Sequence, residues 1–235
     1  MRRLFVTGTD TGVGKTTVSS ALAAAWHAEG HRIATLKPIE TGCERGPDGL
    51  IPADALFLAM AAGEPPPPER TLAELCPNRF AMPASPEAAA AAERRSIDRA
   101  AIEAAIALRS DAELLLIEGA GGLLVPLGPG DLQADLVAAL GAPLLVVARD
   151  ALGTVNHTLL TLEAARHRGL RLSGVVLHAT AARPGPDTAT NRDAIARHGS
   201  VAVFGMLPWA DSLDFQALAD LARRHLDLEA LWRAI

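Results

Sequence analysis

The segment Gly8-Thr-Asp-Thr-Gly-Val-Gly-Lys-Thr-Thr17 brings together a lysine, several hydroxyls and three glycines. These are the residue types that hold a polyphosphate. Gly12 and Gly14 let backbone amides, including that of Val13, close around phosphate oxygens, and a helix starting directly after them adds partial positive charge. In such a loop Lys15 reaches the β and γ phosphates, Thr16 binds Mg2+ through its hydroxyl, and Thr17 follows on the helix. The strict spelling GxxxxGK[ST] is not met, because position 9 is Thr and the first glycine is Gly8. An ordinary glycine turn before a helix would leave Lys15-Thr16-Thr17 unexplained.

A second lysine stands in Leu36-Lys-Pro-Ile-Glu-Thr-Gly42, and the chain has no others: its 22 basic residues are 20 Arg, Lys15 and Lys37. A solvated lysine is interchangeable with arginine, so a chain this rich in arginine keeps lysine where a compact ammonium is needed between anions. Pro38 and Gly42 fix that loop, and Thr41 adds a hydroxyl. Two carboxylates complete the set. Asp54 opens an apolar helix, where the helix dipole alone would favour it; Glu118 ends the run Leu114-Leu-Leu-Ile117 and precedes Gly119-Ala120-Gly121-Gly122. Mg2+ takes a few hard oxygens together with phosphate and water, and Thr16, Asp54 and Glu118 offer such oxygens.

The elements that must position these groups follow from hydrophobic patterning. Continuously apolar runs predict strands at Leu4–Thr7, Arg32–Leu36, Glu113–Ile117, Pro143–Ala148, Leu172–Leu177 and Val201–Phe204, each buried on both faces. Helical spacing predicts helices at Thr16–Ala28, Ala53–Ala61, Ser96–Leu108, Asp131–Leu140, Val155–Arg168 and Thr188–Arg197. Strand and helix alternate, so the expected fold is α/β: a parallel sheet flanked by helices on both faces, in a single domain over residues 1–235. Ligands of such sheets bind beyond the carboxyl ends of the strands, where Lys37 and Glu118 fall. Gly63 to Arg70, with Pro65 to Pro68, reads as an extended surface connection, and Ala88 to Ala92 as a helix former.

Composition removes other classes. With 49% apolar residues and a net charge of −5, the chain is a core-forming globular protein and a poor nucleic-acid binder; eight aromatics and no basic stripe reinforce this. No run approaches the ~20 apolar residues of a membrane span, and MRRLFVTG is too short for a signal-peptide core, so a cytoplasmic protein is expected. Cys43 and Cys76 stand outside any CxxC or zinc pattern and read as incidental.

GTDTxVGKT, KPxxTG, the Asp54 context, EGAGG and a late GxxPW, in this order from Phe5 to about Trp209, together resemble dethiobiotin synthetase. The resemblance implies a P-loop NTPase-like domain that forms a homodimer. It also implies an ATP- and Mg2+-dependent ligase that closes the ureido ring of dethiobiotin from 7,8-diaminopelargonate and CO2. Carried over by motif, Gly12 to Thr17 hold the ATP phosphates, and Thr16, Asp54 and Glu118 hold Mg2+. Lys37 and Thr41 face the diamine or its carbamate, with Lys37 and Lys15 as the catalytic cations. Gly119 to Gly122 approach substrate and phosphate through backbone amides, Asn156 reaches the substrate carboxylate across the dimer interface, and Leu207, Pro208 and Trp209 lie near the adenine. Where the family commonly reads the base with Asn, this chain has His178, whose ring lacks an amide's paired donor and acceptor.

Three other classes share the phosphate loop. Partitioning ATPases carry a lysine where this chain has Asp10, cobyrinate amidating enzymes need a glutaminase region that the 26 residues after Trp209 are not expected to supply, and a stand-alone nucleotide-binding regulator is the remaining alternative. Within the mechanism, no protein nucleophile is expected, and His157 is expected to be structural at a helix start.

Overall fold

The computed structural model describes residues 1–47, 49–65, 71–182, 188–210 and 214–235. Its first half begins with β1 (Arg2–Gly8), α1 (Lys15–Ala28), β2 (Ile33–Leu36) and β3 (Ile39–Thr41). A hairpin of β4 (Glu44–Gly46) and β5 (Gly49–Ile51) leads into α2 (Ala53–Ala61). Then come α3 (Leu72–Leu75), β6 (Asn78–Phe80), α4 (Pro86–Ala92) and α5 (Arg99–Ala107). The second half runs β7 (Leu114–Gly122), β8 (Pro126–Gly128), β9 (Asp131–Leu132), α6 (Gln133–Leu140), β10 (Leu144–Arg149) and α7 (Thr154–His167). It closes with β11 (Leu172–His178), α8 (Thr188–Gly199), β12 (Val203–Leu207), α9 (Phe215–His225) and α10 (Leu228–Arg233).

Six strands form one parallel sheet in the order β12-β11-β10-β1-β7-β2. Because successive side chains of a strand point to opposite faces, the continuous apolar runs feed two cores. Phe5, Leu115, Ile117, Val146 and Val175 pack with Ile102 of α5, Val137 of α6 and Leu162 of α7. Leu4, Val6, Leu116, Val147 and Val176 pack on the other face with Leu22 of α1, Leu218 of α9 and Leu231 of α10. The expected α/β sheet with helices on both faces is therefore the observed one.

Several boundaries differ for physical reasons. β7 does not stop at Ile117: the register passes from Val6↔Glu118 to Gly8↔Gly122, so the glycine-rich stretch arches out as a bulge and Glu118 lies within the strand. Gly121 sits there at φ +65, a left-handed conformation that suits glycine. The helix expected from Asp131 begins at Gln133, because Asp131 and Leu132 pair with β8 and the Asp135 carboxylate accepts the Leu132 amide. The helix expected from Ser96 begins at Arg99, after Asp98 accepts the Ala101 amide as its cap. The last sheet strand lies at Val203–Leu207, shifted toward the carboxyl end of the chain. The stretch Ala88 to Ala92 is helical within α4. Of the extended connection expected at 63–70, residues 66–70 lie outside the described residues.

Candidate active site

All six sheet strands are parallel, so their carboxyl ends share one edge, and the chemistry-bearing residues collect there. β1 delivers the loop 8–14, β2 delivers Lys37 and β7 delivers Glu118. A cavity of about 740 Å³ opens at this edge, lined by Gly12, Gly14, Lys15, Thr16, Thr17, Lys37, Glu40, Thr41, Asp54, Ala120 and Gly121 among others. Both lysines of the chain therefore face one space.

Lys15 is the first residue of α1, whose N-cap Gly14 has φ 90. Its ammonium donates to the Asp10 carbonyl at 3.1 Å, so the loop closes over its own lysine. Burial lowers the Lys15 pKa, and Lys37 adds to that effect, while Glu118, Asp54 and Asp10 oppose it.

Lys37 is 5% exposed. Its Nζ donates to Asp54 Oδ2 at 2.5 Å and to Glu118 Oε1 at 2.7 Å. Burial works against its charge, but Glu118, then Asp54 and Glu40, outweigh burial and hold its pKa above the ordinary lysine value. Glu118 Oε1 also accepts from Thr16 Oγ1 at 2.8 Å. The chain Thr16–Glu118–Lys37–Asp54 thus joins α1, β7, β2 and α2 in one hydrogen-bonded row.

This donor set suits a small hard cation. Glu118 is fully buried, and its Oε2 has no protein partner; an orphaned buried carboxylate oxygen is a strong reason to expect a bound group. The Asp54 side chain is 45% exposed and so remains open to water. Among the described residues no three His, Cys, Asp or Glu side chains form a closed metal cage.

The glycine bulge is held from behind by a residue without a motif. Gln133 is 1% exposed. Its Oε1 accepts the Ala120 amide at 2.7 Å, and its Nε2 donates to the Gly122 carbonyl at 2.9 Å and to Thr7 Oγ1 at 3.2 Å. This revises one expectation for Gly119 to Gly122: the Ala120 N–H is engaged and is not a free donor toward an anion. A Cβ on Gly119 would stand 2.5 Å from Gln133 Oε1, so that glycine serves packing.

On the other side of β1, His178 ends β11 and packs under the loop. Its Nδ1 lies 3.2 Å from the Val13 carbonyl, and a Cβ built on Gly14 would come within 2.0 Å of that nitrogen. Leu207 pairs with His178 and is buried, whereas Pro208 is half-buried and Trp209 is 45% exposed. None of these four lines the large cavity. Asn156 is exposed near the start of α7, also away from it, and His157 borders a small cleft formed with Thr9, Asp10, Thr11 and Val13. Cys43 and Cys76 are buried free thiols whose pKa values burial raises, as unreactive groups require.

Glu40 and Gln133 are site-forming residues that motif spacing missed. Glu40 is 7% exposed, in the middle of β3, and its carboxylate accepts the Asp54 amide at 3.1 Å and the Ala55 amide at 3.0 Å. Burial raises its pKa to about 6; Lys37 and the two amides pull it down, and Asp54 pushes it up.

A family model described as an AAA domain matches residues 2–217. The chain is 46% identical over 220 residues to an ATP-dependent dethiobiotin synthetase of Anaeromyxobacter dehalogenans, covering 93% of this chain and 95% of that one. It is 35% identical over 234 residues to the protein of the same description in Bacillus velezensis, covering 98% and 96%. Among solved structures, the MinC:MinD cell division protein complex of Aquifex aeolicus aligns with a TM-score of 0.55 at 14% identity, covering 95% of both chains. At that identity the likeness is one of fold. No described helix is long and apolar enough to cross a membrane.

Proposed function

The chain belongs to the dethiobiotin synthetase family, ATP-dependent ligases of biotin biosynthesis, and from that premise we propose how its residues divide the work. The phosphate loop with Lys15 holds the β and γ phosphates of ATP, and Lys37 with Thr41 faces 7,8-diaminopelargonate. The observation that carries this reading is the meeting of both lysines in one cavity beside Glu118 and Asp54.

The reaction needs no protein nucleophile. One substrate amine adds to CO2 and releases a proton, giving a carbamate. A carbamate oxygen attacks the γ-phosphorus and ADP leaves; the second amine then attacks the carbamoyl carbon, gives up a proton, closes the ring and expels phosphate. Negative charge gathers at the reacting centre in each step, and Lys15 and Lys37 stabilise it from fixed positions. Mg2+, held by Thr16, Asp54 and Glu118, supplies further charge neutralisation at the phosphates when bound. Thr16 keeps Glu118 oriented for that role, and Gln133 holds the bulge of β7 so that Gly121 and Gly122 approach the substrate closely.

His178, Leu207, Pro208 and Trp209 form the end of the site that receives the base. This is supported by direction: Lys37 and Glu118 lie on the β7–β2 side of the loop, so the nucleotide runs the other way, over β10, β11 and β12. Asn156 serves a second copy of the chain. Leu152, in the turn before α7, and Leu160, within α7, are 85% and 56% exposed, apolar surface that a second copy would cover; sedimentation should therefore show a dimer. A cytoplasmic location is supported by the two free thiols.

The deciding assay combines purified protein with diaminopelargonate, bicarbonate, Mg2+ and ATP and looks for dethiobiotin by mass. ATP hydrolysis indifferent to the diamine, with no ring-closed product, would overturn the assignment.

A further inference from the structure

A helix N-terminus exposes amides that its own turns cannot satisfy. In α2 the N-cap is Pro52, which offers no side-chain cap. The amides of the second and third helical residues, Asp54 and Ala55, are instead taken by the two carboxylate oxygens of Glu40, at 3.1 and 3.0 Å, from a strand some fourteen residues earlier in the chain. The cap is buried, charged and linked through Asp54 to Lys37: Glu40 holds the Asp54 main chain, and the Asp54 side chain holds Lys37. Glu40 also lines the cavity next to Thr41.

We infer that Glu40 is the positioning residue of the metal and carbamate site. It fixes the first turn of α2 so that the Asp54 carboxylate is presented at one place and in one direction, toward Lys37 and the cation. The physical ground is twofold. A carboxylate at a helix N-terminus is favoured by the helix dipole and makes charge-assisted bonds stronger than those of a neutral cap. The Asp54 side chain is 45% exposed and is held at Oδ2 by Lys37; apart from that ion pair, its orientation depends on the backbone that Glu40 ties down. A neutral cap would satisfy the helix equally well in form; a buried charged one fits a site whose two ammonium groups and divalent ion it also helps to balance. The inference rests on Asp54 being a ligand of Mg2+.

The test measures ATP binding calorimetrically across Mg2+ concentrations, for wild type, Glu40→Ala, Glu40→Gln and Asp54→Asn. In Glu40→Ala the Mg2+ needed to tighten ATP binding should rise by about 10- to 100-fold, the usual cost of losing a group that orients a ligand, while ATP affinity in Mg2+-free buffer stays within about twofold. Glu40→Gln keeps one acceptor oxygen and should fall between; it carries the test alone if the alanine variant does not fold. A wild-type Mg2+ requirement in the Glu40 variants, alongside a raised one in Asp54→Asn, overturns the positioning role and leaves the metal assignment standing. An unchanged requirement in Asp54→Asn overturns the metal assignment itself. Equal losses of ATP affinity with and without Mg2+ in the Glu40 variants reduce Glu40 to a fold-stabilising cap and also overturn the inference.

Discussion

Nζ of Lys37 stands 2.7 Å from Oε1 of Glu118, and their side chains are 6% and 0% exposed. A pair this deeply buried is sensitive to the loss of either partner, because the survivor keeps its charge without compensation. Lys37→Met should cost about 3–5 kcal/mol in denaturant-induced unfolding at neutral pH. Lys37→Arg keeps the charge but places a wide planar fork between Asp54 and Glu118. It should leave ATP binding nearly intact and lower turnover by roughly a hundredfold or more, the scale of losing one precisely aimed donor. Turnover near wild type in the arginine variant would remove the argument that the chain reserves its two lysines for charge placement.

Gly14 and His178 form the tightest approach in the phosphate loop. Gly14→Ala meets two obstacles: a φ of 90 and a Cβ within 2.0 Å of the imidazole. The single variant should bind ATP poorly. Adding His178→Ala relieves the collision but not the backbone strain, so the double variant should recover binding in part. The two changes should couple by about 0.5–3 kcal/mol in unfolding free energy. Additive effects would show that the loop accommodates the methyl by moving elsewhere.

The strands of the sheet interior were readable because burial on both faces writes an uninterrupted apolar run, as in Leu114 to Ile117. The phosphate loop, Lys37 and Glu118 were readable because their chemistry restricts residue type at each position. Glu40 was not, although it is only three residues past Lys37. Its partners are main-chain amides of Asp54 and Ala55, brought to it by the β4–β5 hairpin, and a bond to a backbone group leaves no mark on the partner's identity. Gln133 escaped for the same reason, since two of its three partners are the Ala120 amide and the Gly122 carbonyl. The helices α9 and α10 were missed despite local signals: Asp214 and Asp227 both cap helices in the manner expected of that residue.

His178 links pH to stability in a direction that can be worked out. Burial lowers its pKa from the ordinary 6.5, opposed only by the hydrogen bond to Val13. A histidine depressed in the folded state binds protons first in the unfolded chain, so its contribution is complete above pH 6.5. It is lost as pH falls below that value, levelling off below the native ring's own pKa. Unfolding curves of wild type and His178→Asn should diverge between pH 7 and pH 5, with wild type losing more. Parallel curves would place the pH dependence elsewhere.

The base-receiving role proposed for the same ring can be read from which nucleotide competes for the site. The Val13 carbonyl can only accept, so Nδ1 carries the hydrogen and Nε2 of the neutral ring is an acceptor. An acceptor favours bases with an amino group where adenine carries its 6-amino group: the 4-amino group of cytosine takes the corresponding place, whereas guanine and uracil present a carbonyl oxygen there. ATP and CTP should therefore compete for the site better than GTP and UTP in displacement of a fluorescent ATP analogue at pH 7.5. Preference for GTP would mean that the base does not meet Nε2.

Gln133 is the residue on which the shape of the β7 bulge depends. Replacing it by Leu fills similar space but leaves the Ala120 amide, the Gly122 carbonyl and Thr7 Oγ1 without their partner, at a site that is 1% exposed. Unsatisfied buried groups cost about 1–3 kcal/mol each, and water entering the bulge would recover part of this, so a loss of about 2–4 kcal/mol in unfolding free energy is expected. The bulge of β7 carries Gly121 toward the cavity while the phosphate loop hangs on β1. The KM for diaminopelargonate should accordingly rise in Gln133→Leu well beyond any change in the KM for ATP. Gln133→Glu separates the two halves of the clamp: its carboxylate still accepts from Ala120 but faces the Gly122 carbonyl with an acceptor in place of a donor. Its KM for the diamine should lie at least as far from wild type as that of Leu, and a KM restored by Glu would show that the Ala120 bond alone holds the bulge.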